Sequence, residues 1–320
     1  MSCERKIVYM FLCYLVVAVF SVRASSADTN EMTVEEFVKA RMERIRVGQA
    51  QGDGLSKLMS VDRRRAYHAM LPYAKDPNTK VRAETMLSIM RIRENGVDPT
   101  LNKSILETLV RMFRDGFEDQ NRHIRGRSLF FIRRFKCTDF TETARETVRR
   151  LFREKDLSRD TLKLYSIANM KEDLPELKKV FEAKEWPPDD PEDELWPRSL
   201  KWKFRRVMAQ FGDEESIAYC ISRVENEKRP AVRVSAIADL TQIHHHDVVN
   251  LLADQLASEE MIKGLHDSYP VSGHAVHALT QLLGDFPVTT KRGPIWYSKT
   301  DIAQCRKWML EQTEWKFKEF

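Results

Sequence analysis

Five histidines pose the first chemical question. His244, His245 and His246 are adjacent and run into Asp247, and His274 and His277 stand three residues apart further along. Imidazole is a frequent metal ligand, and a tetrahedral site needs three or four such groups converging on one point. Neighbouring side chains diverge, so the triplet supplies one or two ligands at most. His244, His246, His274 and His277 are the residues a metal site would use, since positions three apart share a helix face. No carboxylate or cysteine falls at ligand spacing around them. The expectation is therefore no resident metal and no cofactor, with Asp247 as the N-cap of a following helix and the histidines forming a polar turn and a half-buried face.

Other chemistries leave fainter traces. The chain has no glycine-rich phosphate loop, no G-x-S-x-G elbow and no H-E-x-x-H pair, so a catalytic site is not expected. Beyond the first 27 residues the cysteines are Cys137, Cys220 and Cys305. They lie about 80 residues apart, match no zinc or redox spacing, and leave any disulfide pairing open. Cys220 falls on an apolar helix side, as a core thiol would. Basic residues cluster: Arg122, Arg125, Arg127, Arg133 and Arg134, then Arg145, Arg149, Arg150 and Arg153, then Lys201, Lys203, Arg205 and Arg206. Such clusters are what phosphate binding requires, but acids including Asp115, Glu118, Asp119, Asp139, Glu142, Glu146 and Glu154 interleave with them. An acidic protein or glycan fits this mixture better than nucleic acid. The stretch EWPPDDPEDELWP at 185–197 has four prolines and six acids, so it is a loop, with Trp186 and Trp196 available as anchors or contacts.

The elements that must position these groups show a repeat. DPNTKVRAETMLSIM at 76–90, DQNRHIRGRSLFFIRRF from Asp119 and EKRPAVRVSAIADLTQI from Glu227 share one grammar. An acid stands five residues before Val81, Ile124 or Val232; an arginine follows each; apolar or small residues continue at +4, +8 and +11. Those offsets lie on one face of an α-helix. Weaker copies start at Leu157, Leu200 and Val271, so the six anchors are roughly 32–43 residues apart, the interval of helical-hairpin repeats. The second helix of each hairpin carries the anchor. The +4 residue is small in five copies (Thr85, Ser128, Thr161, Ala236, Ala275), which permits close helix approach, and Phe204 is the exception.

Over roughly residues 60–285 this pattern resembles the HEAT-repeat family, including the HEAT-like repeats named after phycobilisome lyases. The resemblance implies an all-α right-handed α-solenoid of about six hairpins with capping helices at both ends. It further implies a ladder between neighbouring repeats from Asp76, Arg82, Asp119, Arg125, Glu227 and Arg233, broken where units three, four and six lack the pair. It concerns the scaffold, so lyase activity does not transfer with it.

Residues 1–27 have the layout of a secretory signal peptide: Arg5 and Lys6, an apolar run from Ile7 to Val22, then Ala24-Ser25-Ser26-Ala27 before Asp28. The run is short of the ~20 residues that span a bilayer; an uncleaved membrane anchor is the alternative, with Arg23 as its flank. Cleavage would lower the formal net charge of +5, leaving a value near zero that does not suit a dedicated polyanion binder. Thr33-x-x-Glu36 is a capping-box pattern opening an N-terminal helix within residues 28–56. The repeats occupy 57–285, and 286–320 form a loop and a Trp-bearing helix. That tail resembles the ends of exported bacterial HEAT-repeat proteins.

The expected function is a non-catalytic, exported (periplasmic or secreted) protein-binding scaffold, with Arg125, Arg133, Lys201, Arg205, Arg206, Trp186 and Trp196 as contact residues. The alternatives are a metal-dependent or lyase-like accessory module and a polyanion binder.

Overall fold

The computed structural model describes residues 33–49, 62–94, 98–154, 158–188, 195–263 and 268–318. The signal-peptide reading, most of the link at 48–56, Leu157 and the centre of the acidic loop lie outside them. The described residues are mostly helical, with one short β-hairpin and an isolated bridge. Its contacts divide it into two units, one ending at Phe131 and one starting at Ile132.

In the first unit, α1 (Val34–Arg46) opens with the expected capping box: the Glu36 amide donates to Thr33 Oγ1 at 3.3 Å, and the Thr33 amide donates to Glu36 Oε2 at 2.9 Å. α2 (Arg63–Met70), α3 (Thr79–Glu94), α4 (Pro99–Glu118) and α5 (Arg122–Ile132) follow. On α3, Val81, Thr85, Ile89 and Ile92 are all fully buried, and on α5 so are Ile124, Ser128 and Ile132. The small +4 side chains have a specific role. Thr85 Oγ1 turns back to Val81 O at 2.8 Å and faces Met42 Sδ on α1 at 4.0 Å, while Ser128 Oγ lies 3.1 Å from Met86 Sδ on α3. α3 and α5 thus each seat a small hydroxyl against a methionine, Met42 of the N-terminal helix α1 and Met86 of α3, and a larger residue would push the pair apart. Within the α4–α5 hairpin, Gly116 gives the close approach: a Cβ there would lie 2.9 Å from Arg125 Cγ and 3.1 Å from its amide nitrogen.

The second unit continues with α6 (Glu142–Glu154), α7 (Arg159–Ala168), α8 (Leu174–Glu182), α9 (Leu200–Gln210), α10 (Glu214–Glu225), α11 (Pro230–Ile237), α12 (His246–Gln255), α13 (Val271–Leu282) and α14 (Lys299–Glu311). The template positions are again buried: Thr161, Tyr165 and Ala168; Phe204, Met208 and Phe211; Val232, Ala236, Leu240 and Ile243; Val271, Ala275, Leu279 and Leu282. The template outruns the helix on α11. Leu240 sits in a 3₁₀ turn and Ile243 in extended chain, yet both keep their core places. Phe204 breaks the small-residue rule because aromatic rings surround it: Phe181 at 5.3 Å, Trp186 at 6.0 Å and Phe152 at 6.2 Å between centroids.

Two features carried no sequence signal of helical period. β1 (Met261–Lys263) and β2 (Ser268–Pro270) pair antiparallel, with Ile262 opposite Tyr269, just before α13. Behind α14 the chain returns to α13: Leu283 bridges Phe317, Gly284 N–H donates to Lys316 O, and Lys318 N–H donates to Leu282 O, both at 2.8 Å. The expected N-cap Asp247 is corrected: His245 takes that place, and its Nδ1 accepts from the Asp247 amide at 3.3 Å.

Candidate functional site

In the first unit a groove of about 430 Å³ runs across the anchor helices, lined by Ile45, Gly48, Thr79, Lys80, Ala83, Glu84, His123 and Arg127. Asn121 fixes its geometry. Its Oδ1 accepts from the Ile124 amide at 3.1 Å, capping α5, and its Nδ2 donates to Thr79 Oγ1 at 3.1 Å on the first turn of α3. Asn78 Oδ1 accepts from the Lys80 amide at 2.9 Å. The starts of α3 and α5 are therefore tied together, and Lys80 and His123 stand side by side at their mouths. Glu84 is committed to Arg41 at 2.7 Å. Lys80, His123 and Arg127 have no carboxylate partner among the described residues. The groove is thus a lined, net-positive channel whose acid is already neutralised.

The ladder residues are placed as follows. Arg82 is buried; its Nη1 donates to Asp76 O at 3.0 Å, and its Nη2 pairs with Asp119 of the next hairpin at 3.0 Å. Asp76 itself is paired with Arg46 of α1. Arg125 donates to Gly116 O at 2.9 Å and covers the Phe117 ring at 4.5 Å. Glu227 turns to residues near it: Arg229 at 2.8 Å and Trp196 Nε1 at 2.8 Å. These hydrogen bonds hold its carboxyl down at about 2, with the Arg229 bond the largest cause. Arg233 pairs with Glu260, an acid the template did not include.

Several residues expected to contact a partner serve the interior instead. Trp196 is 5% exposed, and its indole is spent on Glu227. Trp186 stacks on Phe181 at 4.9 Å and donates to Phe181 O at 2.8 Å. Arg205 lies over Phe181 at 4.4 Å and pairs with Glu215 at 2.7 Å. Arg206 is 6% exposed, too deep for a broad protein surface to reach. Lys201 is half-buried beside Tyr219, and Arg133 remains exposed. Three of the four arginines of α6 are paired: Arg149 meets Glu142, Glu172 and Asp173, and Arg145 and Arg153 meet Glu172 and Glu176, while Arg150 is exposed. A polyanion contacting Arg145, Arg149 or Arg153 would have to compete with that network.

The histidines do not assemble. His244 stacks on Phe317 at 5.0 Å, with His246 edge-on to the same ring at 6.0 Å. His274 packs near Tyr269, and His277 sits 3.4 Å from Tyr297 Oη and 2.8 Å from Gln281 Nε2. Burial lowers His244 and His274 to about 4, aided by Lys171 and by His277 respectively. Among the described residues no three His, Cys, Asp or Glu side chains group as metal ligands. Cys137, Cys220 and Cys305 are free thiols, and burial pushes Cys220 and Cys305 up to about 12, far from a reactive thiolate.

Sequence reasoning missed Lys80, Glu84 and His123, although a signal existed. Lys80 and His123 occupy the position before their anchors, and Glu84 and Arg127 the position three after. Those offsets lie off the core face, so a repeat template read for its second face would have found the groove. No family model, curated protein or solved structure matches the chain. No described helix is long and apolar enough to cross a membrane.

Proposed function

We propose that the chain is a HEAT-like solenoid protein of the exported compartment that acts as a non-catalytic scaffold and docks an acidic segment of a protein partner. Two hairpins in the first unit and four in the second, with α1 and α14 as caps, account for the alternation of helices and for the buried +4, +8 and +11 positions. Contacts between alternate helices (α7 with α9, α10 with α12, α11 with α13) fit two stacked layers rather than a bundle. Arg82 reaching Asp119 of the following hairpin fits the ladder of that family.

The observation that carries the docking reading is the groove between α1, α3 and α5, where Lys80, His123 and Arg127 lack carboxylate partners. An acidic peptide would supply them, and repulsion would reject basic ones. The test is fluorescence anisotropy with a labelled Asp/Glu-rich peptide. Lys80→Glu/Arg127→Glu, at half-exposed or exposed positions, should keep the wild-type circular dichroism and weaken binding at least tenfold. Equal binding by the double variant would refute the reading.

A further inference from the structure

Among the described residues two arginines are buried, Arg82 and Arg206. They are treated differently. Arg82 rests on Asp119 at 3.0 Å. Arg206 has no carboxylate within ion-pair distance; its Nη1 donates to the neutral Gln242 Oε1 at 2.5 Å, and its Nε has no partner. A guanidinium stays protonated at any physiological pH, and a buried charge without a counter-ion is costly.

Compensation from within is partial: Asp239 favours the Arg206 charge without touching the guanidinium. Asp239 is the nearby acid, but Lys203 holds it as an ion pair and Trp202 Nε1 donates to the same oxygen at 2.8 Å. Ser166 Oγ lies 2.6 Å from Gln210 Oε1 and 2.7 Å from Gln242 Oε1, so one hydroxyl proton faces two amide oxygens, of which the Gln242 oxygen already accepts from Arg206, while Gln210 Nε2 donates to Ser166 O at 2.9 Å. This neutral network fixes Gln242 and, through it, the guanidinium. Lys163, exposed on α7 one turn before Ser166 and without an ion pair among the described residues, adds a third cation on the same helix as the hydroxyl that meets Gln242. Burial lowers the Lys203 ammonium, and Arg206 and Lys163 add to that against the pull of Asp239. Lys163 and Arg206 occupy the same template position, six after Leu157 and Leu200, on α7 and α9. In the first unit that position holds Leu87 and Phe130.

We infer that Lys163, Lys203 and Arg206 form a binding site for one oxyanion, a phosphate or a carboxylate, that enters past Lys163 and completes the shell of Arg206. The planar guanidinium suits either group, and three cations against Asp239 leave room for its charge. The site is separate from the groove of the first unit and stands whether or not that groove docks a peptide.

Titration calorimetry and thermal unfolding of the full chain test it, with sodium phosphate in one arm, N-acetylaspartate in a second, and sodium chloride at matched ionic strength as reference. Saturable binding with a raised Tm is expected in at least one arm; the arm that saturates shows whether the anion is inorganic or an acidic side chain. Lys163→Glu, at an exposed position, should fold normally and bind at least tenfold more weakly. Arg206→Gln should lose the anion response altogether. Absence of saturation in both arms, or equal affinity in Lys163→Glu and wild type, would overturn the site.

Discussion

An imidazole held neutral in an apolar wall makes a protein sensitive to acid, and His274 is placed to show it. Its folded-state value of about 4 lies below the ordinary 6.5 because burial penalises the charged ring. The unfolded chain therefore takes up the proton first. The stability that His274 contributes is complete above pH ~6.5 and is withdrawn as the pH falls toward about 4, by about 2 kcal/mol. His274→Phe should flatten the dependence of the urea midpoint on pH across that window, leaving the parts due to His244 and His277. An unchanged slope would mean that the ring is hydrated in solution. The same burial explains why His244, His274 and His277 look like chemistry in the sequence and are packing in the structure, while His245 caps α12. Sequence gives the donor types but not the wall that excludes water from them. Arg206 reads as a contact residue in the sequence for the same reason, since an amphipathic side chain on a charged helix carries no mark of depth, whereas Trp196 takes the anchoring one of its two readings.

At the scale of elements, much was legible. The period of the anchors placed α3, α5, α7, α9, α11 and α13, because an apolar face at offsets 0, 4, 8 and 11 is one side of a helix and has to be buried. What the period could not give was partner choice. Thr85 meets Met42 of α1, Ser128 meets Met86 of α3, and Gly116 lets α4 approach α5. Gly116→Val should lower stability by about 1–3 kcal/mol in denaturant titration, because the Cβ and its methyl groups would meet backbone as well as the Arg125 stem. A variant as stable as wild type would show that the two helices can separate without loss. The β1–β2 hairpin escaped notice because three-residue strands are too short for alternation to register.

For the whole molecule, the division at residues 131 and 132 has a measurable effect. Leu279, fully buried on α13, belongs to the second unit. Leu279→Asp should raise amide exchange throughout the described residues beyond 131 before it affects residues 33–131. Simultaneous loss of protection in both would indicate one cooperative block. The groove of the first unit and the cation cluster of the second were only half visible in the sequence: the charges stand at fixed offsets from the anchors, but which of them are neutralised depends on ion pairs that cross between elements, such as Arg149 with Asp173. The return of residues 316–318 to α13 bears on biosynthesis. A ribosome delivers α13 well ahead of the segment that latches onto it, so the Leu282 carbonyl and the Gly284 amide wait uncovered in the nascent chain. During that interval the newly made polypeptide offers a short sticky edge to its neighbours on a polysome, and a holdase binding there would guard the step.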